Sequence, residues 1–191
     1  MINIKYGNRG MTFEKLIEYA NRRYKNDGTA IIEKQNTKFI PIRNKTGSVV
    51  SCKVEEKATV DYMGRFGDIP MAFEAKHCSD DRIDLKRVEP HQYEFLKDWT
   101  RKDGVIGFII VSFMFTDFYL IPYFAWHLAY TAREATKRKV RIAKIDWDGF
   151  VPTGKASIHI DELPKKWRVE TENANALDYL ATVRRIWGGS E

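Results

Sequence analysis

Cysteine is scarce in this chain, with only Cys52 and Cys78 among 191 residues. Two cysteines at that separation make neither a disulfide framework nor a metal-ligand spacing, so a reducing cytoplasm is the expected setting. Long apolar runs are missing too. No stretch approaches the roughly 20 residues that span a bilayer, and the polar opening Met1 to Gly10 lacks the form of a signal peptide. A soluble protein with no membrane partner is expected. Internal repeats and low-complexity tracts are absent, which removes solenoids and unstructured tails from consideration. A strong charge of either sign is also lacking. The 32 basic and 26 acidic residues leave +6, which is compatible with nucleic acid but does not demand it.

What is present is ordinary globular material, 43% hydrophobic and 30% charged. It suffices for one domain over residues 1–191 but not comfortably for two. Phe13, Leu16, Ile17, Ala20 and Tyr24 recur at helical spacing, which predicts a helix over 11–25 closed by Gly28, with Glu14, Glu18 and Asn21 sharing another face. Residues 30–57 read as strands around a turn at Asn44–Gly47. Six basic residues there (Lys34, Lys38, Arg43, Lys45, Lys53, Lys57) outnumber three acids. Strands are expected near 58–63 and 69–76, then a helix opening at Pro90, which suits a first turn. Val105–Phe113 is nearly unbroken apolar sequence, as in a strand buried on both faces. A pairing strand at 117–121, a helix at 123–136, a basic stretch at 137–144, a short strand at 157–160 and a helix near 174–187 follow. Mixed strands flanked by helices make an α/β domain.

The alternation in Ile69–Lys76 carries chemistry. Side chains two apart on a strand share a face, so Ile69, Met71, Phe73 and Ala75 are expected in a core, with Ala72, Glu74 and Lys76 opposite. Upstream, Thr59 and Asp61 share a face, with Val60 and Tyr62 behind. If the strands pair, Asp61 and Glu74 reach one divalent ion beside an ammonium group, and two carboxylates plus a backbone carbonyl suffice for Mg²⁺. The acid-x-Lys tripeptide alone says little. About two or three arise by chance in such a chain, and three occur: Glu55–Lys57, Glu74–Lys76 and Asp84–Lys86. Only the middle one sits in an apolar strand with another strand-borne acid upstream; a surface ion pair is its competing reading.

The order of further signals resembles the RecU family of Holliday junction resolvases, in the PD-(D/E)xK nuclease superfamily. The residues are Asn8-Arg9-Gly10-Met11-Thr12 with Glu14, Asn21 and Tyr24; Thr59-Val60-Asp61-Tyr62 with Gly64; Phe73-Glu74-Ala75-Lys76; His91-Gln92; and, more weakly, Ser157-Ile158 with Asp161-Glu162-Leu163. The resemblance implies a restriction-endonuclease-like fold with a mixed central sheet. It implies that Asp61, Glu74 and the Ala75 carbonyl bind Mg²⁺, with Mn²⁺ a substitute. Lys76 then orients the attacking water, and Thr59 sits by the metal. Glu14 and Gln92 support the site, and Asn8 and Arg9 touch phosphate. It further implies a homodimer that nicks paired strands of a four-way junction, a protruding stalk over 33–57 whose Lys34, Lys38, Arg43 and Lys45 meet DNA, and a strand-exchange recombinase as a partner.

The sequence departs from the family at Ala72 and Ala58, which replace its usual acid and serine. Its basic N-terminal tail is nearly absent, its stalk is shorter, and residues 127–154 look inserted. Bland alternatives stay open: a solvated helix residue for Glu14, a helix-surface amide for Gln92, an ordinary hairpin for 33–57, a solvated charged face for 137–141 and an inert thiol for Cys78. His91 suits helix capping or DNA contact better than metal. Trp126, Trp147, Trp167 and Trp187 suit core or interface better than base stacking. Two other functions compete, namely a superfamily nuclease acting on flaps, duplex ends or specific sequences, and a non-cutting junction-binding recombination accessory protein.

Overall fold

The computed structural model describes residues 12–172 and 176–188. Helix α1 (Phe13–Asn26) is followed by β1 (Ala30–Lys34), β2 (Lys38–Arg43), β3 (Val49–Glu56), β4 (Tyr62–Phe66), β5 (Ile69–Cys78), β6 (Arg82–Asp84) and α2 (Pro90–Trp99). Then come β7 (Ile106–Phe113), β8 (Asp117–Pro122), α3 (Tyr123–Lys137), β9 (Ser157–His159), β10 (Glu170–Glu172), β11 (Ala176–Asp178) and α4 (Tyr179–Trp187).

The central sheet has the order β1-β4-β5-β7-β8. It is mixed, because β5 and β7 run parallel whereas the other neighbours are antiparallel. Each strand of a sheet covered on both sides must be apolar on both faces, and every residue of β7 is buried. Alternate residues feed two cores. Phe73, Phe108 and Ile110 pack with Leu16 and Ile17 of α1 and Leu180 of α4. Ala72, Ile109 and Val111 pack on the other face with Leu96 of α2 and Trp126 of α3. The result is a helix–sheet–helix sandwich.

Local chemistry explains the element ends. Thr12 caps α1 by accepting the Lys15 N–H at 3.4 Å, and Gly28 leaves the helix at φ +67°. Gly64 faces Ile32 across β1–β4, where an added Cβ would lie 2.0 Å from the Ile31 carbonyl, so only glycine fits that close approach.

The β2–β3 hairpin stands apart as its own two-stranded sheet, with residues 38–55 all exposed. Its turn is tied by Asn44 Oδ1, which accepts from the N–H groups of Thr46 and Ser48 and from the Thr46 hydroxyl. Glu33 and Lys34 pair with β4 in the main sheet, so the hairpin proper begins at Lys38.

Three expectations need correction. Residues 58–61 form a bend rather than a strand, and there Val60 enters the second core while Tyr62 enters the first. The β5 face carrying Glu74 is itself packed, by Ala72 and Cys78, whereas Ile69 is exposed. The last helix is shorter than 174–187, because Leu177 belongs to β11, paired with Thr171 of β10. On the second face of α1, Asn21 is buried and accepts the Tyr179 hydroxyl.

Candidate active site

The ladder between β4 and β5 ends at Tyr62–Phe73, although β5 continues to Cys78 beside β7. Asp61 and Glu74 stand at the next position, where the backbones have begun to part. Their side chains replace the missing ladder bonds. Asp61 Oδ2 accepts the Ala75 N–H at 2.9 Å, and Glu74 Oε2 accepts the Asp61 N–H at 3.2 Å. Each acid is thus fixed by backbone beside the other, and the notch between the strands holds both carboxylates.

Glu74 is wholly buried. Its second oxygen, Oε1, accepts from Lys76 Nζ at 2.7 Å and from Gln92 Nε2 at 2.5 Å. The Gln92 amide is held the right way round by helix α2. Its Oε1 accepts the Glu89 N–H at 2.9 Å, while the Glu89 side chain accepts from the Gln92 backbone. That reciprocal cap leaves only the amide nitrogen to face the carboxylate. The same Oε1 lies 3.4 Å from Lys76 Nζ. Burial first, and next the Asp61 carboxylate alongside, push the Glu74 carboxyl up to about 8, with Lys76 pulling the other way. A cation between the two acids would reverse that penalty, since it favours both charged forms.

The donor set suits a hard divalent cation. Among the described residues no three His, Cys, Asp or Glu side chains converge. The acidic donors at the notch are the two adjacent carboxylates of Asp61 and Glu74; a hard divalent cation held by so few protein oxygens would keep several waters. The other acid-x-Lys tripeptides offer no such setting. Lys86 makes an exposed pair with Asp84 at 3.4 Å, and Lys57 reaches Glu89 at 2.9 Å.

Asp61, Glu74, Ala75, Lys76 and Gln92 therefore come together. Thr59 lies exposed on the bend two residues before Asp61. Glu14 is exposed on α1 and pairs with Lys34 at 2.7 Å, and Lys34 also reaches Glu18 at 3.3 Å. The Glu14 carbonyl meets the Tyr62 hydroxyl at 3.5 Å, one residue from Asp61. Lys38, Arg43 and Lys45 lie on the exposed hairpin, where Arg43 donates to the Gly47 carbonyl at 2.8 Å. Asn8 and Arg9 lie outside the described residues. His91 sits 3.5 Å from Glu89 at the start of α2. Cys78 is buried with its thiol pushed up by burial, whereas Cys52 is exposed. Trp126 and Trp167 are core residues. Sequence reasoning missed Glu89, whose acid-x-x-Gln spacing before an apolar run is a legible capping signal.

Comparison with known proteins bears on the family of the chain. Two curated relatives, the Holliday junction resolvases RecU of Staphylococcus epidermidis and Staphylococcus aureus, are each 28% identical over 193 residues, covering 96% of this chain and 84% of theirs. A solved structure of the Holliday junction resolvase Hjc of Archaeoglobus fulgidus overlaps at a TM-score of 0.39 and 9% identity, over 59% of this chain and 78% of that one, a likeness too distant to add weight. The family model described as Recombination protein U matches residues 8–185, so the chain belongs to the RecU family.

Proposed function

We propose that this protein is a Mg²⁺-dependent endodeoxyribonuclease that resolves Holliday junctions by paired nicks. The single observation that carries this reading is the buried Glu74 carboxylate, bound at once to the Asp61 backbone, Lys76 and Gln92 within a RecU-family chain. Asp61, Glu74 and the Ala75 carbonyl would hold the cation. When bound, it supplies positive charge that polarises the scissile phosphate and its water. Lys76 keeps its ammonium at the carboxylate pair, where it orients the attacking water and offsets the negative charge that grows at phosphorus. Gln92 restrains Glu74. Packing on both sides of β5 keeps these groups from relaxing apart.

Resolution needs symmetric cuts, so the working form is a homodimer presenting two equivalent notches. The hairpin over 38–56 is the stalk that meets the junction. Mn²⁺ substitutes for Mg²⁺, and a strand-exchange recombinase is a partner. Labelled four-way junction and linear duplex, incubated with and without Mg²⁺, test the reading. Junction-selective, Mg²⁺-dependent nicking is expected, with Lys76→Ala and Glu74→Ala slowing it by about 10²–10³ or more while junction binding persists. Equal cutting of both substrates points to another superfamily nuclease. Binding without any cutting points to the accessory protein.

A further inference from the structure

Helix α3 ends in a segment with no role in the notch. Residues 137–145 carry Lys137, Arg138, Lys139, Arg141 and Lys144 and contain no acid. All are exposed, and residues 140–146 run without a strand or helix partner. Lys137 pairs with Glu134 at 2.5 Å, whereas Arg138, Lys139, Arg141 and Lys144 make no ion pair among the described residues. Four cations therefore lie within one short stretch with no salt bridge among the described residues, and of these only Arg138 feels the nearby Glu134 carboxylate.

This segment is held at both ends. At its start the Val140 N–H reaches the Ala135 carbonyl at 2.9 Å and the Lys139 N–H reaches Thr136 at 3.1 Å, which closes α3 with Lys139 at φ +55°. That left-handed position is normally given to glycine, because a Cβ is strained there. Lysine keeps a charge where glycine would relax the backbone. At its far end, Trp147 and Phe150 exchange backbone bonds, Phe150 is fully buried, and Trp147 packs on Trp167. The chain then returns to α3 at Gly154, where an added Cβ would lie 2.4 Å from the Thr136 hydroxyl. The stretch between is a strap spanning two fixed points.

Its position is informative. Lys137 and Arg133 of α3 face Pro90 and Lys86 across a cavity of about 440 Å³. Pro90 opens α2, the helix that carries Gln92 to Glu74. The strap thus begins one cleft away from the catalytic notch. A second copy of the chain is a poor occupant, because a two-fold contact through the strap would oppose like charges.

We infer that the strap at 138–145 is an additional DNA-binding surface, which grips the phosphate backbone of a duplex arm whose scissile strand lies in the notch. This rests on the nuclease reading above. Phosphate contact carries no base information, so the strap acts on junction and linear duplex alike. Each phosphate neutralised contributes about 0.9 to the salt slope of binding.

The experiment measures the binding of the full chain to a four-way junction and to linear duplex in EDTA across a salt series. Three proteins are compared: the parent, the triple variant K139Q/R141Q/K144Q, and the control K97Q/R101Q/K102Q at the far end of α2. The strap variant should bind both DNAs roughly tenfold or more weakly, with the log–log salt slope reduced by about 2 to 3. Its thermal unfolding and sedimentation should be unchanged, and the control should keep the parent slope. An unchanged slope in the strap variant, an equal fall in the control, or a changed oligomeric state overturns the proposal. A further variant, Lys139→Gly, should unfold at higher temperature yet bind less tightly, which a purely structural lysine would not produce. If the parent neither cuts nor prefers junctions, the nuclease reading fails, and the duplex titration still decides the strap.

Discussion

Glu74 shows how much a single side chain is asked to tolerate. A fully buried acid next to another acid holds its proton to about 8, against 4.5 for the free group. Between those values the native state binds more protons than the unfolded chain, so the metal-free protein loses stability as pH rises from about 5 to 8. Glu74→Gln removes that dependence. In EDTA the variant should match the parent near pH 5 and exceed it near pH 8 by a few kcal/mol, about 1.4 per pKa unit. Thermal melts across that range check it; parallel curves for the two proteins would contradict the buried-acid picture. Mg²⁺ should raise the parent's melting temperature at pH 8 and leave the variant's unchanged. The acid-x-Lys spacing and strand alternation made Asp61, Glu74 and Lys76 legible in the sequence. The part of Gln92 was not, because an amide on a helix gains its role only from the strand it lands against. Its implication came from the resemblance alone.

At the scale of elements, α2 links helix capping to the site. Gln92 both closes the helix start and donates to Glu74. Gln92→Ala should lower stability by about 1 kcal/mol through the lost cap. It should also move the apparent pKa of cleavage upward, because Glu74 loses a donor that favours its charged form. A melt and a pH–rate profile separate the two effects; a lower melting temperature with an unshifted profile would reduce Gln92 to a capping residue. Boundaries were where periodicity misled. Leu177 and Leu180 are three apart, so the helical pattern ran back into β11, although Asp178 is the actual cap, accepting the Ala181 N–H at 3.2 Å. Residues 58–61 read as strand because Thr59 and Asp61 alternate with Val60. Nothing local reveals that β4 leaves β5 there, since strand divergence is set by tertiary packing. The pairing of β6 with β9, 70-odd residues on, is likewise a matter of topology rather than local pattern.

For the molecule as a whole, the mixed sheet with a core on each face accounts for rigidity, and the hairpin contributes to neither core. A pair of strands alone is marginally stable in water, so its order depends on the Asn44 turn network and the cross-strand pairing of Phe39 with Val54. Replacing residues 38–56 by a short Gly-Ser linker should leave the melting temperature within a few degrees of the parent. The same protein should keep Mg²⁺-dependent nicking of DNA while losing its choice of four-way junction over duplex. Comparative cleavage of the two substrates reads this out, and a collapse of the melting temperature would show that the hairpin supports the body after all. The sandwich was legible because alternation and apolar runs report burial directly, whereas the reach of the hairpin was not, since exposed strands carry no such signature.

The parting of β4 from β5 has one last effect. Two sheet neighbours that separate by one step expose a short length of unmatched main chain, normally a hazard for sticking to other proteins. Here the two acids cap that raw edge themselves, through the Asp61 and Ala75 amides. The groups proposed to serve chemistry are therefore also the stopper on a seam. Shortening either one should leave not just an idle protein but one more prone to clump.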